Sequence, residues 1–389
     1  MAAVVYRGAA LADGRSAELR LGVSVLVEDG RIGWIRPSGD EGEAPAGAAV
    51  VDASGCTIVP GLVDGHSHLT LPGGAHWVDR IADPTESLLT VAEDNGELLW
   101  RSGVRWARDV GSPRRSVDDR ERAVAIAVRE RWRGRRDRPY VRAAGTWIMV
   151  PGLLPPGLAV EAHDADDLLS AAIGQLDDGA DLVKLYLDGP DPETAPWTAG
   201  EVSRVVAAAH ARGAKVTAHS SRLSGSRVCA EAGVDSIEHG FELDADVART
   251  MAERGVGLVT TMTVMKSWLT FGTTTTIPRF AEADNRTRIR DRLGSPVLVV
   301  GRAGGGCGVE PHRVARSDQM GKVDHLGPVL SLRDLDAVDG AAVRADLGEQ
   351  RVEVHRAGDP GPRREACRGV PQLEARAEVG ELVDGARVG

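Results

Sequence analysis

Cysteine and lysine are both scarce in this 389-residue chain, four of each, and both scarcities are informative. Cys56, Cys229, Cys307 and Cys367 lie far apart with no Cys-x-x-Cys pair. That argues against a zinc ribbon or a disulfide scaffold and fits a reducing, cytoplasmic setting. No apolar run approaches the roughly 20 residues of a membrane span, and no charged-then-apolar leader opens the sequence. Basic charge is in deficit, with 47 Lys+Arg against 57 Asp+Glu and a net charge of −10, so a nucleic-acid-binding stripe is not expected. Because nearly every basic residue is arginine, each of Lys184, Lys215, Lys266 and Lys322 calls for a reason.

A further absence is local. The last 100 residues, after Ile289, contain no Phe, Tyr, Trp, Ile or Thr, whereas the first 289 hold all 14 aromatics. Strands and cores are built from such residues, so these C-terminal residues (about 95 of them, from Gly294) are atypical. In a GC-rich gene a shifted reading frame stays open and yields Arg, Gly, Ala, Asp and Val. The tail therefore reads either as a frame-shifted product or as a genuine divergent, disordered tail. Resequencing the locus separates the two, since an intact frame through the codon for Gly294 excludes the first.

What is present is an ordinary globular composition, 42% apolar and 27% charged, long enough for one large α/β barrel and a smaller module. Ser24–Glu28 and Arg31–Ile35 flank Asp29-Gly30, a hairpin signal, and residues 1–60 read as one part of a small β-sandwich. From residue 57 strand and helix alternate. The strand candidates are Thr57–Val63, Val104–Val110, Tyr140–Ala144, Leu182–Leu187, Val216–Ala218, Ser236–Glu238 and Val256–Thr261. Helices are predicted over Pro84–Ser102, Arg115–Trp132, Ala165–Gly179, Ala199–Arg212, Arg222–Ala232 and Ala245–Glu253, several ending at a glycine before the next strand. Seven such repeats point to a parallel barrel with one unit still to be placed.

Catalytic groups of such barrels sit at the C-terminal strand ends. The first strand ends in Asp64-Gly65-His66-Ser67-His68, where two histidines at i and i+2 point the same way and can reach one metal. Lys184 lies in the apolar run Asp-Leu-Val-Lys-Leu-Tyr, His219 follows Thr217-Ala218, and His239 sits in Glu238-His239-Gly240. A lone histidine is most often a packed or surface group. Four of them with a lysine, at the ends of four strands, are not explained that way. A buried ammonium is costly, so the amine of Lys184 either reaches water or is modified.

Val51-Asp52-Ala53, the run from Val59 to His68, Val183-Lys184-Leu185, Ala218-His219 and Ser236-Ile237-Glu238-His239-Gly240 together resemble, in order, the motifs of the amidohydrolase superfamily. The resemblance is nearest to its imidazolonepropionase-like and Xaa-Pro dipeptidase (prolidase)-like branch, and extends to about Trp268. It implies a (β/α)8 TIM barrel over residues 61–345 and a small composite β-sandwich from the chain ends, residues 1–60 and 346–389. Glu381–Val388 is the one segment there resembling a final sandwich strand. It further implies two divalent metal ions, commonly zinc, with His66 and His68 on the buried metal and His219 and His239 on the more exposed one. Lys184, as a carbamate, would bridge them, and a metal-bridged hydroxide would attack a small-molecule amide or dipeptide.

That family also requires an aspartate ending strand eight as general base. Pro296–Gly301 is a strand candidate without one; Asp318 is the best match, Asp324 a weaker one. His76 and Tyr186 are candidate substrate contacts at the barrel mouth, with Trp77, Trp147 and Met149 nearby, though packing explains such aromatics equally well. His163, His210, Lys215 and Lys266 are expected to play no part. No nucleic-acid or membrane partner is expected, and a homo-oligomer is left open. A cyclic-amide or imidazolone hydrolase is the rival enzyme reading, and a catalytically impaired metal-binding relative the non-enzymatic one.

Overall fold

A computed structural model describes residues 3–271 except 17, 75–76, 155–157 and 192, positions 283, 286, 287, 289 and 290, and the backbone of 329–331. The described residues form two compact units that divide between Pro60 and Gly61.

The first unit is a sheet of β1 (Ala3–Leu11), β2 (Arg20–Glu28), β3 (Arg31–Pro37), β4 (Ala49–Asp52) and β5 (Thr57–Val59), joined by β17 (Val329–Ser331). The order is β17-β5-β1-β2-β3, with β4 also on β1. The predicted hairpin is present: Asp29 (φ 51) and Gly30 (φ 71) both adopt the left-handed conformation that matches a tight turn to strand twist. Val4, Tyr6, Leu11, Val23, Val25 and Ile58 form its buried side. Among the described residues this unit holds one sheet rather than two.

The second unit alternates strand and helix. Its parallel strands are β6 (Leu62–Ser67), β7 (Val104–Asp109), β10 (Tyr140–Ala143), β13 (Leu182–Tyr186), β14 (Lys215–Ser220), β15 (Ser236–His239) and β16 (Gly257–Val259). The intervening helices are α1 (Trp77–Arg80), α2 (Thr85–Arg101), α3 (Val124–Trp132), α4 (Ala165–Asp177), α5 (Ala199–Ala211), α6 (Leu223–Ala232), α7 (Ala245–Arg254) and α8 (Met262–Phe271). One parallel sheet runs β10-β7-β6 and the other β12-β11-β13-β14-β15-β16, where β11 (Ile148–Met149) and β12 (Val160–Glu161) are short additions. The bridge Ala144–Leu182 joins the two sheets, so the main strands follow chain order from β6 to β16. This is an α/β architecture of TIM-barrel type. The eighth-strand candidates, 296–301 and the segment before Asp318, lie outside the described residues.

Local chemistry explains several boundaries. Thr198 and Glu201 cap α5 reciprocally, and Asp164 and Asp244 accept backbone N–H groups at the starts of α4 and α7. Gly233 (φ 74) and Gly255 (φ 71) end α6 and α7 in the left-handed conformation, as predicted.

Three expectations need correction. Thr57–Val63 is not one strand, because Pro60 has no N–H to donate and the segment splits into β5 and β6 in different units. Arg115–Trp132 is not one helix: β8 (Arg114–Val117) and β9 (Arg120–Ala123) form a hairpin, and helix begins at Val124. The turn residues Asp118 (φ 51) and Asp119 (φ 59) are both left-handed, which aspartate tolerates and a helix does not. Third, β1 has no counterpart among the predicted strands, since its sequence AVVYRGAAL lacks a clean alternation.

The strand period of two places the site. Along β13, Val183, Leu185 and the following Leu187 are fully buried in the main core with Val205 of α5 and Cys229 of α6. Lys184 and Tyr186 therefore take the opposite face. Lys184 pairs in register with Thr217 and Thr217 with Ser236; one row further, Tyr186 pairs with His219 and His219 with Glu238.

Candidate metal centre

Four imidazoles meet at the C-terminal ends of β6, β14 and β15. Ring centroids are 5.1 Å apart for His66 and His68, 4.9 Å for His66 and His239, and 4.5 Å for His219 and His239. His239 has φ 73, a left-handed backbone that costs a non-glycine residue about 1–2 kcal/mol and swings its ring into the group.

Each ring is held by one nitrogen. His66 Nδ1 donates to Glu238 Oε2 at 2.6 Å and His68 Nδ1 to the Gly111 carbonyl at 2.8 Å. His219 Nε2 donates to Asp188 Oδ2 at 3.0 Å, while His239 Nδ1 lies 2.7 Å from Thr261 Oγ1. A carboxylate or carbonyl can only accept, so for the first three the tautomer follows. His66 and His68 keep a lone pair on Nε2, and His219 keeps one on Nδ1. Burial pushes the pKa of all four rings down, that of His68 to about 3, so they are neutral and able to act as electron-pair donors.

Lys184 sits under this group. It is 2% exposed, and its Nζ is buried with no hydrogen-bond partner. Burial lowers its pKa from 10.5 to about 8. An orphaned amine in a buried site is uncommon, because an unsatisfied buried donor costs about 1–3 kcal/mol.

Below the rings a carboxylate and a guanidinium cross the unit. Glu238 is fully buried. Its Oε1 accepts from Arg108 Nη2 at 2.6 Å, from Ser236 Oγ at 3.1 Å, and from the Thr217 hydroxyl. Burial raises its pKa, but the His66 hydrogen bond and the Lys184 and Arg108 charges outweigh this and bring it to about 2. Arg108 also donates to the Gly65 carbonyl at 2.7 Å and to Ser236 Oγ at 2.9 Å, tying β6, β7 and β15 together. Asp188 is fixed in turn by the backbone N–H and the hydroxyl of Ser221.

The five residues singled out by the sequence are thus brought together. Among the described residues, no three His, Cys, Asp or Glu donors converge on a point by themselves. Glu238 has both oxygens engaged by the protein, and the remaining buried group is a lysine amine. The donor set fits a divalent cation in kind: neutral imidazoles, three of them with fixed tautomers, around an amine without a hydrogen-bond partner.

Tyr186 stacks on His219 at 3.8 Å and 8°. Trp147 and Met149 are buried in a cluster with Leu71, Ile81 and Leu158, against which Trp77 packs; Trp147 also meets His68 edge-on at 5.5 Å. Phe241 lies 5.4 Å from His239, and Trp268 6.0 Å from Phe241. His210 and Lys215 pair at the surface with Asp235, and Lys266 is exposed. His163 precedes α4. His76, Asp318 and Asp324 lie outside the described residues.

Arg108, Glu238, Asp188, Ser221 and Thr261 went unmarked as site residues. Arg108-Asp109 at the C-terminal end of a strand was the available signal, as charge at that end demands a partner.

Sequence comparison places this geometry among known proteins. An uncharacterized protein of Mycobacterium bovis is 32% identical over 246 residues, 62% of this chain and 57% of its own length. Imidazolonepropionase of Micrococcus luteus is 28% identical over 244 residues, 58% of each chain. The chain therefore spans less than two thirds of the length of these curated relatives. A crystal structure of a Xaa-Pro dipeptidase with bound methionine in its active site shares the fold, with a TM-score of 0.63, 24% identity and 75% coverage of both chains. The sequence profile of the amidohydrolase family matches residues 57–291, more than half of the chain, from β5 past α8: the chain belongs to the amidohydrolase family.

Proposed function

We propose that this chain is a metal-dependent hydrolase of a C–N amide bond in a small molecule or dipeptide. His66, His68, His219 and His239 would hold two divalent cations, most simply zinc, and Lys184 as a carbamate would bridge them. The observation that supports this most is the buried, unpartnered Lys184 Nζ beneath four neutral histidines. Addition of the neutral amine to carbon dioxide forms the N–C bond and releases one proton. The result is an anionic oxygen donor that removes the burial problem of an ammonium. Divalent cations, when bound, lower the pKa of a water towards neutrality and polarise a carbonyl.

The chain's own residues do the rest. Glu238, the Gly111 carbonyl and Asp188 hold the Nδ1, Nδ1 and Nε2 protons of His66, His68 and His219, which fixes where each lone pair lies. Tyr186 on His219 and the Phe241–Trp268 pair beside His239 offer flat apolar surface suited to an uncharged or aromatic-bearing amide. Similarity to imidazolonepropionases and to a Xaa-Pro dipeptidase supports both amide classes as first substrates to try. This reading carries with it a closed (β/α)8 barrel, a composite sandwich and Asp318 as general base.

The test is metal analysis of the purified full chain and a hydrolysis screen over Xaa-Pro dipeptides, N-acyl amino acids and imidazolones. About two divalent ions per chain are expected, with hydrolysis lost on chelation and restored by zinc. Hydrolysis that survives chelation would sink the proposal. Two ions without hydrolysis of any member would favour the impaired metal-binding relative.

A further inference from the structure

Glu238 does more than sit beside the histidines. Its two oxygens face different company: Oε1 meets three donors, from Arg108, Ser236 and Thr217, whereas Oε2 meets a single ring nitrogen, His66 Nδ1. Arg108 cannot accept a hydrogen bond in any protonation state it adopts in a protein, so the Oε1 side must present an acceptor. The carboxylate therefore stands in one orientation with an accepting atom left over for His66.

We propose that Glu238 is a positioning residue: fixed by Arg108, it selects the His66 tautomer that carries hydrogen on Nδ1 and leaves Nε2 as the electron-pair donor. The consequence for cation binding rests on the reading of His66 as a metal ligand; the tautomer itself does not. Arg108 gives the arrangement its direction. With Glu238→Gln the amide oxygen must stay with Arg108, which turns the NH2 towards His66. A donor facing Nδ1 requires Nδ1 to accept, and the hydrogen moves to Nε2. Without the arginine, the hydroxyls of Ser236 and Thr217 can rotate to accept, and the amide is free to turn its oxygen to His66.

The experiment uses the metal-free full chain labelled with 15N-histidine, with His66 assigned by its loss in His66→Asn. Long-range 15N–1H correlations report which ring nitrogen bears hydrogen. Wild type should show His66 as Nδ1–H, Glu238→Gln as Nε2–H, and Arg108→Met/Glu238→Gln as Nδ1–H again. In parallel, zinc affinity measured by competition with a chromophoric chelator should fall about 10–100-fold in Glu238→Gln, as for other groups that orient metal ligands, and recover in the double variant. An unchanged tautomer in folded Glu238→Gln overturns the inference, as does an affinity within twofold of a zinc-binding wild type. Should Glu238→Gln fail to fold, wild type alone decides, because an Nε2–H His66 there overturns it. A wild type that binds no zinc refutes the metal reading and leaves the tautomer result to stand or fall by itself.

Discussion

Lys184→Met should abolish amide hydrolysis and at the same time make the metal-free protein more stable. The two effects have one origin. The Lys184 amine is buried without a hydrogen-bond partner, and burial, helped by the Arg108 charge, holds its pKa down to about 8 against the pull of Glu238. Methionine, one atom shorter, fills most of the lysine's space with no donor to satisfy, so the metal-free fold should gain about 1–3 kcal/mol, read as a shifted denaturation midpoint. Activity moves the other way. Without the amine no carbamate forms, a bridge between two cations is lost, and metal content should drop below two per chain. Charge stabilisation worth several kcal/mol corresponds to a loss of about three orders of magnitude or more in kcat/KM. Metal-free Lys184→Met less stable than wild type would show that the amine has a partner after all. Unchanged metal stoichiometry would remove the bridging role.

Arg108→Met should be among the most destabilising single changes in the β6–β16 unit. It removes the cation from a carboxylate that is itself fully buried, and it severs the links to Gly65 and Ser236. Breaking one side of such a pair leaves an uncompensated charge and costs about 3–5 kcal/mol. Adding Glu238→Gln removes that charge, so the double variant should regain much of the loss although a second native residue has gone. Urea denaturation of wild type, both single variants and the double variant measures the coupling. A loss below about 1 kcal/mol for Arg108→Met would mean that Glu238 is solvated or protonated, in conflict with its burial and low pKa.

How much of this was legible in the sequence depended on how local the information was. His66 lies at the end of β6 and His68 just past that strand, Asp29-Gly30 is its own turn signal, and capping residues lie within three positions of the N–H groups they satisfy. Lys184, His219 and His239 could be grouped because the β/α repeat puts strand ends side by side. The hairpin at Asp118-Asp119 was missed because an arginine- and glutamate-rich run also suits a solvated helix, and tertiary pairing decided between them. The support beneath the site was missed for a different reason. Arg108 and Glu238 are 130 positions apart, and His66 and Glu238 172. Nothing local to either marks the other as its partner; only the packing of β6, β7 and β15 does.

The alternation along β13 also sets which length changes this chain can tolerate. Val183, Leu185 and Leu187 look outward to the helices while Lys184 and Tyr186 look inward, and pairing with β14 fixes that sidedness residue by residue. Inserting or deleting one residue between Leu182 and Tyr186 would turn the lysine out among the helices and bring a valine or leucine under the histidines. Inserting two would restore sidedness but move Lys184 one row along, opposite His219 instead of Thr217. Neither repair works within the strand, so changes of length in this family member are confined to the helices and to the loops beyond the strand ends, where the site is not measured out in single residues.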